Sequence, residues 1–177
     1  MKELNVIDFD RTLIHVDSFR LYVIHGIKKF RMGFLLYTLL RIVRIINAKT
    51  LKEKITRISI KNNYEDLSNF ISSLLKLVNH SVLNSIYSRT NKNTINLICS
   101  ASPDFYISVV ANKLNMSGKG SYVDANNTFF HMYGKNKINY IISHFPPKEY
   151  KYNYAISDSK SDIELLDMFK NHTLHKN

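Results

Sequence analysis

The chain has 177 residues and carries 25 lysines and arginines against 14 aspartates and glutamates, a formal charge of +11 at pH 7. Apolar residues make up 45% of the sequence, which has 5 glycines and 3 prolines. This composition excludes collagen-like, linker-like and disordered chains and predicts a buried core. Cys99 is the single cysteine, which excludes an internal disulfide framework and a cysteine-rich zinc site.

Most of the positive charge lies in residues 28–57, which include nine basic residues and one acid, Glu53, and so carry +8 of the +11. The same segment is rich in leucine, isoleucine, valine and phenylalanine. One interpretation is a helix packed inside a helical subdomain with its basic face in solvent. Another is a helix lying on an anionic membrane surface. No DNA- or RNA-binding motif accompanies the charge, so a nucleic-acid partner is not expected.

The first predicted element is a short buried strand over residues 4–7. Helical patterns then extend from about residue 18 to residue 88. Within them, Thr50 and Glu53 have the spacing of a capping box and predict the start of one helix. Asn63 is the expected N-cap of the next helix.

The second half of the chain alternates strands and helices. The predicted elements are strand 95–99, helix 103–114, a hairpin or irregular flap over 118–134, helix 136–143, strand 152–156 and helix 161–170. This alternation predicts an α/β fold, a Rossmann-like parallel sheet with helices on both faces. We expect a core of residues 1–14 and 92–177, with a helical insertion over 15–91.

The residues with the most reactive chemistry follow the predicted strands or begin helices. They are Asp8, Asp10, Ser100, Lys137, Asp158 and Asp162. In an open parallel sheet, the loops beyond the carboxyl ends of the strands meet and form the site. Four carboxylates brought together repel one another and raise their pKa values unless cations join them. One lysine and one divalent ion would balance most of this charge, and oxygen ligands favour Mg²⁺ over Zn²⁺.

This series of motifs resembles that of the haloacid dehalogenase-like superfamily, carried in order by Asp8, Asp10, Thr12, Ser100, Lys137, Asp158 and Asp162. The resemblance covers nearly the whole chain, and the insertion is similar to a C1-type cap. Residues 98–103 and 134–137 are similar to the phosphoserine-phosphatase-like branch, subfamily IB. Residues 17–19, followed by the basic segment, are most similar in style to phosphatidylglycerophosphatase C-like proteins.

The resemblance implies a role for each of these residues. Asp8 would be the nucleophile that forms an aspartyl-phosphate, and Asp10 would act as general acid and then general base. Ser100 would donate a hydrogen bond to the phosphoryl group, and Lys137 would neutralise its charge.

A magnesium ion is also implied by the resemblance. The Asp8 carboxylate, the Asp10 backbone carbonyl and Asp158 would hold it. Asp162 would be an outer ligand or the anchor of Lys137, and Thr12 a supporting residue.

Some assignments have competitors in the sequence. Ser102 competes with Ser100, which directly follows the apolar strand, and Lys135 competes with Lys137, which lies three residues after Gly134. Each site residue taken singly could instead be a helix cap, a turn residue or a solvated lysine.

Two departures from the family pattern are present. Arg11 and Ser157 stand where glycine is usual, which leaves open whether the pocket is narrowed and activity reduced.

The expected function is a Mg²⁺-dependent phosphomonoester hydrolase acting on a lipid phosphate or another anionic substrate at a membrane surface. Asp17 lies nine positions after Asp8, where phosphoserine phosphatases carry an acid, so a phosphoserine or other small-metabolite phosphatase is an alternative, as is a phosphotransferase. The alternative from another class is a non-catalytic protein that binds membranes or nucleic acid.

The expected location is the cytoplasm, with peripheral contact at the inner face of the membrane. The first residues carry acids too early for a secretory signal. The longest uncharged stretch in the first half, residues 32–40, is too short to cross a bilayer.

Overall fold

A computed structural model describes residues 1–62 and 67–175 of the chain. The strands are β1 Lys2–Ile7, β2 Thr94–Pro103, β3 Ser117–Val123, β4 Phe129–Phe130, β5 Tyr150–Ser157 and β6 Asn171–Leu174. The helices are α1 Ser18–Lys28, α2 Met32–Ile42, α3 Ala48–Lys61, α4 Leu67–Leu75, α5 His80–Tyr87, α6 Asp104–Lys113, α7 Lys135–His144 and α8 Ile163–Leu166. A 3₁₀ turn, Lys160–Asp162, leads into α8.

The six strands form one sheet in the order β4-β3-β2-β1-β5-β6. Strand β1 lies between β2 and β5 and pairs with both in parallel, while β3 and β4 form an antiparallel hairpin. Ile7 is paired with Ile98 and with Ile156, so the residues after β1 and β5 leave the sheet at the same edge as the last part of β2. The predicted α/β fold with a mostly parallel sheet is confirmed.

Both faces of the sheet are covered because its central strands are apolar on both sides. Ile7, Ile98 and Ile156 lie in a buried cluster with side chains from α1 to α6. Their neighbours Val6 and Leu97 lie in a second cluster with α7 and α8. Alternating side chains of a strand point to opposite faces, so near-continuous apolar runs are typical of a sheet buried in this way.

A chain of amide side chains fixes the register of the central strands. Asn5 of β1 is fully buried, donates to Asn96 Oδ1 of β2 at 2.9 Å and accepts from Asn153 of β5 at 3.0 Å. Asn96 in turn donates to Thr90 at 2.9 Å. Because an unpaired buried amide costs free energy, a shift of one residue between these strands is disfavoured.

The inserted helices pack on the sheet through an aromatic cluster centred on Tyr22. Its ring centroid lies 5.0 Å from that of Phe70, 5.2 Å from Phe105 and 5.8 Å from Tyr106. The Tyr22 hydroxyl donates to Ser59 of α3 at 2.8 Å, which satisfies its buried polar atom. The insertion therefore shares one apolar core with the sheet.

The start of α3 differs from the sequence-based prediction. Helix α3 begins at Ala48, and its N-cap is Asn47, whose side chain accepts from the Thr50 amide at 2.9 Å. The predicted start at the Thr50–Glu53 capping box is therefore wrong, because an earlier residue caps the helix. The predicted cap Asn63 lies outside the described residues.

The predicted helix over 161–170 is shorter than expected. It consists of the 3₁₀ turn and α8, which ends at Leu166. Tight hydrogen bonds close it, from the Met168 amide to Leu165 O at 3.2 Å and from the Phe169 amide to Leu166 O at 3.0 Å. These i to i+3 bonds satisfy the last carbonyls and direct the chain into β6.

The apolar side chains of α2 are mostly not packed. Phe34 is the buried residue of this helix, whereas Leu36, Leu39 and Ile42 are exposed. Within the part of the chain that the structure describes, no helix is both long enough and apolar enough to span a bilayer.

We predict that Gly26→Ala destabilises the insertion. A Cβ at Gly26 would lie 2.1 to 2.8 Å from ring atoms of Phe34, which is fully buried. Overpacking of this kind costs about 1–3 kcal/mol, and urea unfolding should show this loss.

Gly33→Ala is the matched control, also in a helix of the insertion. A Cβ there meets the flexible end of Ile58, with Cδ1 at 2.8 Å, and alanine is the better helix former by about 1 kcal/mol. An equal loss of stability in the two variants would contradict the prediction.

Candidate active site

The predicted residues meet at the carboxyl edge of the sheet, around a cavity of about 410 Å³. The cavity lining includes Asp8, Asp10, Asp17, Ser100, Lys137, Asp158 and Asp162. Asp8 and Asp10 follow β1, Ser100 lies in β2, Asp158 follows β5, and Lys137 belongs to the first turn of α7. The remaining predicted residue, Thr12, is buried and does not line the cavity.

Lys137 is the charge centre of the site. Its ammonium lies 2.7 Å from Asp8 Oδ1 and 2.6 Å from Asp162 Oδ2, and all three side chains are buried. Burial alone would lower the pKa of Lys137, but the carboxylates of Asp8 and Asp162 outweigh it, so the pKa of this lysine is raised. The competing Lys135 is exposed and does not line the cavity.

The pKa of the Asp8 carboxyl lies closer to neutral pH than that of an ordinary aspartate. Burial raises its pKa to about 6, Lys137 opposes this, and the nearby charges of Asp162 and Asp10 add to the rise. Thr12 connects this residue to the β5 loop, because its hydroxyl accepts from the Asp158 amide at 2.9 Å and lies 3.5 Å from Asp8 Oδ2.

Asp10 is held by neutral donors in place of a lysine. Its Oδ1 accepts from the Ser18 amide at 2.6 Å, and its Oδ2 accepts from the Ser102 hydroxyl at 2.5 Å. Burial raises the pKa of Asp10, while the hydrogen bonds from Ser102 and Ser18 partly lower it. A second carboxyl with a raised pKa, beside Asp8 but in a different setting, is the arrangement that acid–base chemistry needs.

The two candidate serines differ in how they are engaged. The Ser102 hydroxyl is committed to Asp10 and also lies 3.2 Å from the Ser18 hydroxyl. The Ser100 hydroxyl accepts from the Ser102 amide at 3.1 Å, and its own proton has a long contact of 3.4 Å to Asp10. Ser100 is therefore the serine that can redirect its proton to a bound group at small cost.

The two residues that replace glycine behave differently. Arg11 has φ of 57°, in the left-handed region where glycine is favoured, and its exposed side chain lines the cavity. Ser157 is buried, and its hydroxyl donates to Asp162 Oδ2 at 2.8 Å, which adds a second donor to the oxygen that Lys137 contacts.

Lys52 of α3 enters the site from the insertion and was not singled out by the sequence. Its ammonium donates to the carbonyl of Ala101 at 2.8 Å and lies 5.2 Å from the centre of the Phe19 ring. Burial lowers the pKa of Lys52, and the charges of Asp10 and Asp17 partly oppose this. No signal distinguished it, since it is one of nine basic residues in segment 28–57.

Asp17 serves two purposes at the rim. Its side chain caps α1 by accepting from the Arg20 amide at 2.8 Å, and it also lines the cavity. Cys99, in contrast, is fully buried, and that burial raises its pKa to about 12, so it is not a reactive thiolate.

The oxygen atoms of the site fit a hard cation. Asp162 Oδ1 is buried without a hydrogen-bond partner, and the pKa of Asp8 is raised by burial and, to a smaller extent, by the charges of Asp162 and Asp10. Within residues 1–62 and 67–175, no three acidic, histidine or cysteine side chains group as a complete metal site. The ligands that the resemblance implies are the carboxylates of Asp8 and Asp158 and the backbone carbonyl of Asp10. Such a set, completed by water and a phosphate, is a typical environment for Mg²⁺.

A family model of haloacid dehalogenase-like hydrolases matches residues 6–167. The chain therefore belongs to the haloacid dehalogenase-like hydrolases. The family and the hydrolytic class predicted from the motifs are confirmed. No curated protein matches the sequence.

Solved structures share this fold. A protein of unknown function from Bordetella pertussis Tohama I has a TM-score of 0.76 and 12% identity, over 97% of this chain and 89% of that one. A hydrolase of the family from Salmonella enterica serovar Typhi has a TM-score of 0.60 and 10% identity, over 98% and 67%. A phosphoserine phosphatase has a TM-score of 0.53 and 10% identity, over 100% and 96%. The expected likeness to phosphoserine phosphatases is confirmed at the level of the fold.

The raised pKa of Asp8 predicts how stability depends on pH without divalent ions. The folded carboxyl keeps its proton up to about pH 6, whereas its unperturbed pKa is 3.8. The folded state therefore binds more protons between these values, and lowering the pH from 7 to 5 should raise the free energy of unfolding by about 1 kcal/mol through this group. Asp8→Asn should lack this contribution in urea titrations at both pH values, and an unchanged pH dependence would refute it.

Proposed function

We propose that this hydrolase cleaves phosphomonoesters through an aspartyl-phosphate on Asp8. The observation that carries the proposal is the pairing of the buried Lys137 with Asp8 at 2.7 Å, next to a second carboxyl, Asp10, that neutral donors hold. One carboxylate is oriented beside a cation that attracts a phosphoryl group, and the other is set to hold a proton.

In the first step, a carboxylate oxygen of Asp8 bonds to phosphorus and the ester P–O bond breaks. The proton of Asp10 passes to the leaving oxygen, and the raised pKa of Asp10 favours its carrying that proton. In the second step, Asp10 removes a proton from water, which attacks the same phosphorus. Phosphate leaves and Asp8 is regenerated, so one difficult displacement becomes two easier ones.

Fixed donors stabilise the negative charge on the phosphoryl oxygens. Lys137 stays protonated because its pKa is raised by Asp8 and Asp162. The Ser100 hydroxyl supplies a neutral donor from β2, the strand next to β1. Donors oriented before the reaction avoid the cost of reorganisation and typically contribute several kcal/mol each.

The residues that would hold Mg²⁺ are Asp8 and Asp158 through carboxylates and Asp10 through its backbone carbonyl. A bound magnesium ion would supply positive charge that neutralises the phosphoryl oxygens. The contacts of Asp162 with Lys137 and Ser157, at 2.6 and 2.8 Å, support its role as the anchor of the lysine. Thr12 supports the same arrangement by joining the loops of β1 and β5.

We propose that residues 15–91 act as a C1-type cap over a core of residues 1–14 and 92–177. The substrate would be a lipid phosphate or another anionic ester, bound at the cytoplasmic face of a membrane. Support comes from Lys52 and Phe19, which bring a cation and an aromatic ring from the cap into the cavity. Asp17 in the cavity wall favours amino-acid phosphates as the second candidate, because a carboxylate can bind an ammonium group.

The nucleophile is tested by Asp8→Asn. We expect a loss of at least about a thousandfold in kcat with p-nitrophenyl phosphate, because an amide oxygen cannot form the covalent intermediate. Activity of the unaltered protein should require Mg²⁺ and vanish with EDTA. The exposed Asp167→Asn is the matched control and should retain activity. Equal activity of the two variants would refute the mechanism.

A substrate panel distinguishes the candidate reactions. It includes phosphoserine, sugar phosphates, nucleotides and a lipid phosphomonoester in vesicles, with phosphate release as the readout. Transfer to an added alcohol with no release to water would indicate a phosphotransferase. No turnover of any ester by folded protein would refute the enzymatic proposal.

Lys52 is expected to act on substrate capture more than on the chemical step. Lys52→Gln should raise KM for an anionic ester about tenfold and change kcat less than threefold, since it removes a cap charge that does not contact the reacting carboxyls. Lys49→Gln, on the same helix and outside the cavity lining, is the control. A fall in kcat with unchanged KM would contradict this role.

A further inference from the structure

The most unusual surface of the molecule is formed by residues 30–45, here called the α2 segment. Eight of the sixteen exposed large apolar side chains among the described residues lie in these 16 positions. They are Phe30, Met32, Leu35, Leu36, Leu39, Ile42, Val43 and Ile45. A contiguous exposed apolar patch of this kind is rare on a monomer and marks an interaction surface.

The exposed side chains follow a helical stripe. In α2 and its C-cap residue Val43, the exposed large apolar side chains lie at positions 32, 35, 36, 39, 42 and 43, which is one face of a helix, while Phe34 is buried in the core. Helix α2 therefore has apolar side chains both on the face that packs on the protein and on its solvent-exposed face.

In each turn beside α2, a residue in the left-handed region closes the preceding helix, and backbone hydrogen bonds from Arg31 to Gly26 and from Ile45 to Leu40 fix the cap. Phe30 has φ of 55° and Arg44 has φ of 63°, conformations in which glycine is the favoured residue. Phe30 is nevertheless 89% exposed. The cap accounts for the φ of Phe30, but it does not require a large apolar side chain, and the exposure of this ring adds to the apolar surface of the segment.

The charge around the segment selects the partner. Five basic residues and no acid lie between positions 28 and 46: Lys28, Lys29, Arg31, Arg41 and Arg44. A second copy of this surface would bring like charges together, which opposes self-association. Nucleic acid would match the charge but not the exposed aliphatic side chains. An anionic lipid surface matches both, with apolar side chains among the acyl chains and basic groups among the headgroups.

We infer that the α2 segment inserts into the headgroup region of an anionic bilayer and holds the mouth of the active-site cavity against it. Ile45, 69% exposed, is three residues before Ala48, which lines the cavity, and three residues of chain reach at most about 11 Å. The orientation lets a phosphate at the bilayer surface enter the cavity while its lipid stays in the membrane. This inference deepens the proposed function and rests on it for the substrate.

The direct test uses the absence of tryptophan in the chain. Ile45→Trp places a single tryptophan, which can be excited selectively over the 11 tyrosines, in the α2 segment, and Ile142→Trp places one at an exposed position of α7 on another part of the surface. With vesicles of equal phosphatidylglycerol and phosphatidylcholine, Ile45→Trp should shift its emission to the blue and Ile142→Trp should not. The same shift in both variants, or no shift in either, would overturn the inference.

Binding is measured by co-sedimentation with the same vesicles. Ile42→Ser/Ile45→Ser should lower the partition coefficient at least tenfold, and Arg41→Gln/Arg44→Gln should do the same by removing charge. Val109→Ser/Ile142→Ser, which removes two exposed apolar residues elsewhere, should bind like the unaltered protein. Binding should fall with added salt and be weak to pure phosphatidylcholine.

Activity separates the two proposals. All these variants should hydrolyse soluble p-nitrophenyl phosphate at an unchanged rate, while the α2-segment variants lose at least tenfold in rate on a vesicle-borne phosphomonoester. If the unaltered protein hydrolyses p-nitrophenyl phosphate but does not bind vesicles, the membrane inference is overturned and the proposed function stands. If it binds vesicles but hydrolyses no soluble ester, the proposed function is overturned and the membrane inference stands. Dimerisation through the segment, or binding to polynucleotide in preference to anionic vesicles, would also overturn the inference.

Discussion

The site depends on one buried ammonium group shared by two carboxylates. Lys137 comes from α7, Asp8 follows β1 and Asp162 lies before α8, so their contacts tie three distant parts of the chain together. A buried charge without a partner would cost several kcal/mol, and the same is true of each carboxylate. The acidic cluster at the sheet edge is compatible with folding because this lysine compensates it.

Because Lys137 contacts Asp8 and not Asp10, these two aspartates are held by different kinds of partner. Asp8 is oriented by a cation, whereas Asp10 is oriented by the hydroxyl of Ser102 and the amide of Ser18. A carboxyl without a cationic partner retains its proton more readily when buried. Two chemically identical side chains, two residues apart, thereby both have raised pKa values but are held by different neighbours.

The sequence was sufficient for the sheet and for most of the cavity because both follow from local patterns. Asp8 and Asp158 follow apolar strands, and parallel strands deliver such residues to one edge. Lys52 was missed because its approach to the cavity depends on how α3 packs, which no local pattern encodes. The start of α3 was placed too late because Asn47 and Thr50 are both good capping residues, and only the folded backbone selects between them.

The amide chain across the sheet has a consequence for folding kinetics. The hydrogen-bond partners of Asn5 are Asn96, which is 91 positions away in the sequence, and Asn153, which is 148 positions away. Strand β1 therefore acquires its partners only after two long loops have closed. Closing long loops costs entropy, and folding slows as contacts become more distant in sequence. Early compaction of the inserted helices would shorten the first of these loops. The insertion thus influences how fast the sheet edge with the candidate site assembles, independently of any contact that it makes with a substrate.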